Sequence, residues 1–379
     1  MNRQLNIVVV GLSLSSSWGN GHATTYRSLL RGLHGNGHDV LFLERDVPWY
    51  ADHRDLATPD FCRLEYYRSL EELDAFLPEI SGADAVIIGS FVPEGRAVIE
   101  RIRAMNPSLL GFYDIDTPVT VARLEAGEED YLARHQVPYF DLYLSFAGGR
   151  MLELLENRYG AKRSEALFCS VDSGLYIPTG EDMRWDLGYL GTYSPDRQPA
   201  LEQLLIEPAR RLPEKRFAVA GPQYPADIDW PTNVERIDHL PPSAHASFYS
   251  RCRFTLNITR ADMVAAGFSP SVRIFEAAAC ATPIISDRWP GLDVLLPESE
   301  AIFIADATDD VVRVLTEIPE EIRRGVAENA RARVLASHTA AARAGELTSY
   351  IETLNKPPVR GECAPRQHAP EIRSEGQPQ

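Results

Sequence analysis

The sequence is poor in cysteine, in net positive charge and in long apolar runs, and each shortage excludes a class of protein. Its 379 residues include only five cysteines, an odd number, and no two of them stand in a C-x-x-C pair. This spacing is typical neither of a disulfide framework nor of a zinc site, and it favours a reducing compartment. The formal net charge of −16 argues against a nucleic-acid-binding protein, which needs a basic surface.

An early apolar run, LNIVVVGLSL at 5–14, is followed at once by the polar stretch SSSWGNGH. A membrane-spanning helix needs about 20 apolar residues, so this run is too short to cross a bilayer. It also lacks a convincing signal-peptide cleavage region. We therefore expect a cytoplasmic protein with no stable membrane insertion.

Short apolar runs alternate with amphipathic helical stretches along most of the chain, which is typical of parallel α/β units. Because these runs are apolar throughout, we expect helices to cover both faces of each sheet. The first half contains predicted strands at 6–11, 39–44, 84–90, 109–114, 140–146 and 166–170. The second half contains predicted strands at 186–191, 216–221, 233–237, 253–258, 283–287 and 301–305.

A polar, turn-rich stretch with Gly174, Pro178 and Gly180 separates the two series of strands. We therefore expect an α/β protein with two doubly wound Rossmann-like domains facing a central cleft, where ligands bind in such folds. The predicted limits are 1–170 for the first domain, 171–185 for a linker, 186–336 for the second domain, 337–354 for a closing helix and 355–379 for a tail whose composition favours disorder.

The stretch SPSVRIFEAAACATPIISD, at 269–287, begins like a helix and ends like a buried strand. Ser269 as the N-cap and Pro270 as the first helical residue predict where the helix starts. The unpaired N–H groups of Ser271 and of the next two residues would then form the positive end of the helix dipole. Such an end binds phosphate readily.

Two charged side chains, Arg273 and Glu276, stand one turn apart on this small and apolar helix. The forked cation of Arg273 suits a diphosphate, and the carboxylate of Glu276, leaning towards the helix start, suits two vicinal hydroxyls such as those of a ribose. The alternative is an i, i+3 surface salt bridge worth about 0.2–0.5 kcal/mol.

This stretch resembles the donor-site signature of GT-B glycosyltransferases, in which a helix with the pattern E-A-x-A-x-G-x-P precedes a strand. Together with LGYLGTYSPDRQPALEQLLIEPA, at 187–209, it is more similar to the spore-maturation CgeB-like branch of those enzymes. The resemblance implies that Glu276 binds the nucleotide ribose and that Arg273 and the helix start bind the diphosphate. It also implies that Gly191 and Thr192 form the adjacent loop, and that the closing helix returns to the first domain.

Two positions depart from the pattern of the family. Ala281 stands where a glycine is usual, and Phe268 stands where many retaining members carry an acid, eight positions before the ribose glutamate. The anomeric outcome of the reaction is therefore not predicted.

The stretch SSSWGNGHATTYRSLL joins the first strand to its helix. Gly19 and Gly21 allow the backbone to approach a ligand closely, and His22 near the helix start can touch an acceptor or a phosphate. A Gly-rich turn with a solvent-facing histidine is the alternative. GNGHAT followed by Glu44 also imitates a dinucleotide fingerprint, but the third glycine is missing and the first stands too far from the strand.

The stretch GFYDIDTPVT, at 111–120, ends the fourth strand with Asp114 and Asp116. Both carboxylates are predicted to face the cleft, where a general base for an acceptor hydroxyl is needed. We expect Thr117 to cap the next helix with Pro118 in its first position, which leaves Asp116 available; capping by Asp116 is the alternative. D-x-D also binds metal in glycosyltransferases of a different, single-domain architecture, so no metal is expected here.

The sequence therefore predicts a hexosyltransferase-type glycosyltransferase that moves a sugar from a nucleotide diphosphate sugar, with a UDP-sugar favoured, to an unidentified acceptor. No cofactor beyond this donor is expected. Two alternatives stay open: a nucleotide-sugar epimerase or hydrolase on the same fold, and a catalytically silent nucleotide-sugar-binding protein.

Overall fold

The computed structural model describes residues 3–18 and 21–355. In this part of the chain the first domain contains seven strands. Their bounds are Asn6–Gly11 (β1), Asp39–Arg45 (β2), Arg63–Tyr67 (β3), Ala85–Gly89 (β4), Leu110–Asp114 (β5), Leu142–Ser145 (β6) and Ser164–Ala166 (β7). They form one sheet in the order β3-β2-β1-β4-β5-β6-β7.

Six further strands form the sheet of the second domain. Their bounds are Trp185–Leu190 (β8), Phe217–Ala220 (β9), Val234–Ile237 (β10), Cys252–Asn257 (β11), Ile284–Ser286 (β12) and Phe303–Ile304 (β13). Their order is β10-β9-β8-β11-β12-β13. Neighbouring strands pair in parallel in both sheets, so the predicted doubly wound architecture is confirmed.

Helices connect the strands and cover both sheets. In the first domain they are Gly21–Gly35 (α1), Pro48–Ala51 (α2), Leu77–Gly82 (α3), Gly95–Ala104 (α4), Thr117–Ala126 (α5) and Arg150–Tyr159 (α6). In the second domain and beyond they are Gln198–Leu201 (α7), Glu207–Arg211 (α8), His245–Ser250 (α9), Ala261–Ala266 (α10), Val272–Ala279 (α11), Leu292–Leu295 (α12), Thr308–Glu317 (α13), Glu320–Ser337 (α14) and Ala340–Asn355 (α15). A π-helical turn, Glu202–Ile206, joins α7 to α8.

Strand β1 shows why the central strands are apolar throughout. Ile7 and Val9 point into the core on one face of the sheet, whereas Val8 and Val10 point into a separate core on the other. Since helices cover both faces, neither set of side chains meets water.

Two strands differ from the prediction. Strand β3 was not predicted because it lies at the edge of its sheet and carries Arg63 and Glu65, which interrupt any apolar run. The strand predicted at 166–170 instead occupies Ser164–Ala166. The apolar residues Leu167 and Cys169 that suggested it are fully buried, but they lie beyond the strand.

Helix α15 leaves the second domain and packs on α1 of the first. Gly32 permits the contact, since a Cβ atom there would lie 2.1 Å from the carbonyl oxygen of Ala340. Thr348 Oγ1 lies 3.2 Å from His38 Nε2, and the Tyr350 hydroxyl donates to the Ala166 carbonyl at 3.3 Å. These contacts are the return to the first domain that the family resemblance implied.

The chain crosses between the domains twice, and the two crossings run side by side. Val171, the first residue of the predicted linker, forms a parallel bridge with Thr339, which directly precedes α15. The limits proposed for the domains stay a prediction, and apart from Asn355 the predicted tail lies outside the described residues. Within residues 3–18 and 21–355, no helix combines the length and the apolar character that crossing a bilayer requires.

Candidate active site

Two adjoining cavities lie in the cleft between the domains, at the carboxyl ends of the strands. The second-domain cavity, of about 420 Å³, is lined by loops after β8 and β9 and by α11. The first-domain cavity, of about 480 Å³, is lined by loops after β1, β5 and β11. Gly21, Arg197, Arg260, Val272 and Arg273 line both. Another cavity, of about 550 Å³, lies at the amino ends of β1, β2 and β3, away from the cleft.

Helix α11 begins at Val272 with Ser271 as its N-cap, so the predicted start at Ser269 and Pro270 is wrong by two residues. The preceding residues are held across the cleft instead: the Phe268 carbonyl accepts a hydrogen bond from Gly148 N–H at 3.0 Å, and the Pro270 carbonyl lies 3.5 Å from the Cys169 thiol. The N–H groups available for an anion therefore lie at Val272 and the next residue.

The side chain of Arg273 is fixed at the floor of the second-domain cavity. Its Nε donates to the Leu190 carbonyl, and its Nη1 donates to Asn257 Oδ1 at 3.2 Å. The guanidinium also lies 5.0 Å from the ring centroid of Tyr189. A Cβ atom at Gly191 would lie only 2.8 Å from Arg273 Nη2, so any larger residue at this position of the loop would displace the guanidinium.

Glu276 is only 3% exposed, and its Oε2 accepts a hydrogen bond from the Tyr249 hydroxyl at 3.1 Å. Burial and the nearby carboxylate raise the pKa of Tyr249, so its hydroxyl stays a donor. His245 Nδ1 lies 3.8 Å from the same oxygen. An ionised carboxylate has about four acceptor sites, and Glu276 therefore has further sites to offer to the cavity that it lines.

Arg273 and Glu276 form no ion pair with each other anywhere in the described residues. Glu276 is also buried, so the surface-salt-bridge interpretation of this pair is wrong. Of the other predicted donor-site residues, Thr192 lines the second-domain cavity and Ser271 lines the first-domain cavity. Ser269 is 1% exposed and lines neither cavity.

Two arginines that the sequence did not single out complete a cluster of three cations with Arg273. Arg197 Nη2 donates to the Thr192 carbonyl at 2.7 Å. Burial lowers the pKa of Arg197, but a guanidinium still remains charged at neutral pH. Arg260 has neither a hydrogen bond nor an ion pair from its side chain within the described part of the chain. Its place three residues after β11 was the available signal, because ligands bind at the carboxyl ends of parallel strands.

His22 and Asp116 meet on the first-domain side of the cleft. His22 Nε2 lies 3.3 Å from Asp116 Oδ2, and the two side chains are 11% and 20% exposed. Burial raises the pKa of Asp116, but the hydrogen bond from His22 and the positive charges of His22, Arg260 and Arg197 outweigh it and leave the pKa below its usual range. The carboxylate is therefore ionised at neutral pH.

Asp116, not Thr117, occupies the N-cap position of α5, but its side chain makes no capping hydrogen bond. Thr117 is already the first residue of the helix, and its hydroxyl oxygen accepts hydrogen bonds from Ser145 Oγ at 3.0 Å and from the Phe146 N–H at 3.2 Å instead of capping. The prediction of the cap is thus wrong, whereas the side chain of Asp116 lines the first-domain cavity.

The expectation that Asp114 faces the cleft is wrong. Its side chain is fully buried and accepts hydrogen bonds from the Tyr143 hydroxyl at 2.6 Å and from Thr120 Oγ1 at 2.7 Å. Burial raises the pKa of Asp114 to about 6. Strand β5 ends at Asp114, and Asp116 already stands at the N-cap of α5. One carboxylate is therefore buried and the other lines the cavity, so the two do not converge on a common ligand.

The loop after β1 is built around Glu44. This fully buried carboxylate accepts hydrogen bonds from the backbone N–H groups of Leu14 and Ser15 and from the hydroxyls of Ser13 and Ser15, at 2.6–3.1 Å. Glu44 therefore cannot bind a ribose hydroxyl, which is the role of the acidic residue in a dinucleotide-binding site. The dinucleotide alternative is not supported. Gly21 is the first residue of α1, and Gly19 lies outside the described residues.

Comparison with known proteins agrees with this geometry. Residues 197–349 match a protein-family model described as glycosyl transferase-like, whereas no curated protein matches the sequence. Sucrose-phosphate synthase (tll1590) from Thermosynechococcus elongatus superimposes with a TM-score of 0.67 at 15% identity, over 93% of this chain and 99% of that one. The chain has a GT-B fold.

Two other GT-B structures are similar over the same extent. Anabaena Alr3699/HepE, in complex with UDP-glucose, gives a TM-score of 0.67 at 11% identity, over 92% of this chain and 100% of that one. An alpha-glucosyltransferase in complex with UDP-glucose and DNA gives 0.66 at 12% identity, over 92% and 100%. Together with the family match, which includes Arg260, Arg273 and Glu276, these findings support a GT-B glycosyltransferase.

Proposed function

We propose that the protein is a hexosyltransferase of the CgeB-like branch, which moves a sugar from a UDP-sugar to the hydroxyl of an acceptor in the cytoplasm. The observation that carries this proposal is Glu276, a buried carboxylate with acceptor sites to spare at the floor of the second-domain cavity. Arg197, Arg260 and Arg273 line the same cavity. One acid suits the hydroxyls of a ribose, and several cations suit a diphosphate.

In this proposal the donor lies in the second-domain cavity. Glu276 accepts hydrogen bonds from the two ribose hydroxyls, and the three arginines bind the diphosphate together with the N–H groups at the start of α11. Fixed positive groups stabilise the charge that develops on the diphosphate as the sugar leaves. Since these groups surround the phosphates, no divalent metal is needed.

The acceptor hydroxyl would enter from the first-domain cavity, where Asp116 and His22 lie. Its oxygen forms a bond to the anomeric carbon of the sugar, the bond from that carbon to the diphosphate breaks, and the hydroxyl proton is released. Asp116 would hold the hydroxyl or accept this proton. The domains would align the two substrates and exclude water.

We propose a small-molecule acceptor rather than nucleic acid. One of the similar structures contains DNA, but the formal charge of −16 on this chain opposes binding to a phosphate backbone.

Loss of Glu276 or Arg273 should weaken UDP binding while the fold persists. Each side chain would make a hydrogen bond involving a charged group, worth about 1.5–3 kcal/mol, so Glu276→Ala and Arg273→Ala should each raise the Kd of UDP by roughly 10- to 150-fold. Isothermal titration calorimetry measures this directly. Glu317→Ala and Arg324→Ala, at exposed positions of α13 and α14, are the matched controls and should bind UDP like the wild type.

Unchanged UDP affinity in both site variants would contradict the proposed donor site. Incubation of the wild-type protein with UDP-glucose and no acceptor then separates the remaining alternatives. Rapid release of glucose would show a hydrolase, and conversion of the bound sugar into its epimer would show an epimerase.

A further inference from the structure

The first-domain cavity changes character with distance from His22 and Asp116. Beyond this pair its wall is formed mainly by large apolar and aromatic side chains, several of them only partly buried and so exposed to the cavity. They are Leu12, Tyr50, Phe91, Val119, Phe146 and Met263. Arg197, Arg260 and Arg273 line both cavities and so lie where the two adjoin. The second-domain cavity adds the acid Glu276 and several loop backbones.

Several polar side chains of the first-domain wall are already hydrogen-bonded within the protein. Thr259 Oγ1 donates to Asp287 at 2.9 Å, and Ser271 Oγ donates to Asn257 at 2.8 Å. Arg123 Nη1 pairs with Asp130 at 2.6 Å. Beyond the reaction centre and the three arginines shared with the second-domain cavity, a ligand here therefore meets mainly apolar side chains and polar groups that are already hydrogen-bonded.

Phe91 lies against the reacting pair in a strained conformation. Its φ angle is 61°, and a bulky side chain in this left-handed region is an outlier that persists only where the surroundings impose it. The ring stands edge-on to the imidazole of His22, with centroids 5.4 Å apart, and packs on Tyr131 at 4.4 Å. This backbone conformation places an aromatic ring beside His22, where the acceptor hydroxyl would lie in the proposed mechanism.

We infer that the acceptor is a small molecule that carries its hydroxyl on an aromatic or other largely apolar body, and that Phe91 forms the wall that selects it. This inference rests on the proposed function. The cavity volume of about 480 Å³ suits a small molecule. A sugar acceptor would place those of its hydroxyls that lie away from His22, Asp116 and the shared arginines against side chains that cannot pair with them, and unpaired polar groups of this kind lower affinity.

The test measures binding of the two chemical classes to the UDP-loaded protein. UDP binding is measured first by calorimetry. Then 4-methylumbelliferone and 1-octanol represent the apolar alcohols, and methyl α-glucoside and maltose represent sugars. We expect at least one apolar alcohol to bind at least tenfold more tightly than either sugar.

Two variants locate the binding site. Val119→Asn places an amide in the apolar wall and should weaken binding of the apolar alcohols by about tenfold, with UDP affinity unchanged. Val294→Asn, at a position 59% exposed on α12, is the matched control and should have no effect. Phe91→Leu keeps an apolar side chain but removes the ring, so it should weaken 4-methylumbelliferone binding more than 1-octanol binding.

The outcomes separate this inference from the proposed function. Absence of UDP binding to the wild type would contradict the proposed function. If UDP binds, three results would each overturn the acceptor class alone. They are sugar binding as tight as that of the apolar alcohols, no binding of either alcohol, and no effect of Val119→Asn.

Discussion

Two glutamates, one in each domain, lie buried where their domains face the cleft, but their surroundings differ. Glu44, at the end of β2, accepts four hydrogen bonds from the loop at Ser13–Ser15. Glu276, on α11, accepts one from Tyr249 at 3.1 Å, and the side chains of Tyr176 and His245 also interact with it. Burial is thus common to both, and the difference lies in how many acceptor sites the protein itself occupies. A saturated carboxylate holds a loop together, whereas an unsaturated one is available to a ligand.

The same contrast extends to the two walls of the cleft. The second domain contributes cations, among them Arg260, which lines both cavities and whose positive charge helps to lower the pKa of Asp116 across the cleft. The first domain contributes the hydrogen-bonded side chains of His22 and Asp116 and most of an apolar wall. A charged donor and a largely apolar acceptor would therefore each meet the wall that suits it.

The largest expected effect follows from removing the saturated glutamate. Glu44→Ala removes the buried acceptor of two backbone N–H groups and of the Ser13 and Ser15 hydroxyls, and it should lower the free energy of unfolding by on the order of 3–5 kcal/mol. Urea denaturation measures this loss. The protein that remains folded should bind UDP with unchanged affinity. Glu276→Ala should instead weaken the affinity and cost less stability than Glu44→Ala, because it removes the acceptor of one buried hydroxyl, that of Tyr249.

Glu44→Gln, which keeps one acceptor oxygen, serves as the milder variant if Glu44→Ala does not fold. A Glu44→Ala protein with the stability of the wild type and a weakened affinity for nucleotide would reverse the assignment of the two glutamates. It would also restore the dinucleotide interpretation of the first domain.

The next effect concerns the first-domain wall. Asp116→Asn should lower turnover by about 10²-fold or more, a typical loss for general acid–base catalysis, with the Kd of UDP little changed. Because the pKa of Asp116 is below its usual range, the carboxylate is a good hydrogen-bond acceptor and a weak base. If it holds the acceptor hydroxyl, the variant should also raise the KM for the acceptor. Initial rates at varied acceptor concentration separate the two contributions.

Activity of the wild type should survive EDTA, because the arginines rather than a cation neutralise the diphosphate in the proposed mechanism. Loss of activity in EDTA and its recovery with manganese would make Asp116 part of a metal site. A turnover of Asp116→Asn close to that of the wild type would exclude the carboxylate from the reaction altogether.

The architecture could be predicted from the sequence because buried parallel strands leave long apolar runs between helices. Strand β3 escaped this rule, since an edge strand with Arg63 and Glu65 is only half buried. The start of α11 was misplaced because the residues before it are held by the first domain. Contacts between residues so far apart in the sequence leave no local pattern from which to predict them.

Only those residues of the candidate site that stand together in one short motif could be predicted from the sequence. Glu276 and Arg273 stand in one short stretch and were found, whereas Arg197 and Arg260 join them only through the packing of loops after β8 and β11. Asp114 shows the opposite failure. Its place at the end of a strand suggested the cleft, but the hydroxyls that bury it come from Thr120 and Tyr143, and a strand-end position does not reveal them.

The smallest expected effect distinguishes Asp114 from Asp116 by pH. Burial raises the pKa of Asp114 from 3.8 to about 6, so between about pH 4 and pH 6 the folded protein retains a proton that the unfolded chain has released. The free energy of unfolding should fall as the pH rises through this window. Asp114→Asn cannot ionise and should escape this loss. Relative to the wild type, it should therefore gain on the order of 2 kcal/mol between pH 4 and pH 7, as measured by urea denaturation.

Asp116→Asn is the matched control, since the pKa of Asp116 is lowered rather than raised. The stability that this carboxylate contributes is fully present above the pKa of the unfolded chain. It is lost as the pH falls towards the lower pKa of the folded protein. The difference between this variant and the wild type should therefore stay constant from pH 4 to pH 7. Parallel pH profiles of Asp114→Asn and the wild type would mean that Asp114 ionises like an exposed carboxylate, and the separation of the two aspartates into a buried and a cleft-facing group would fail.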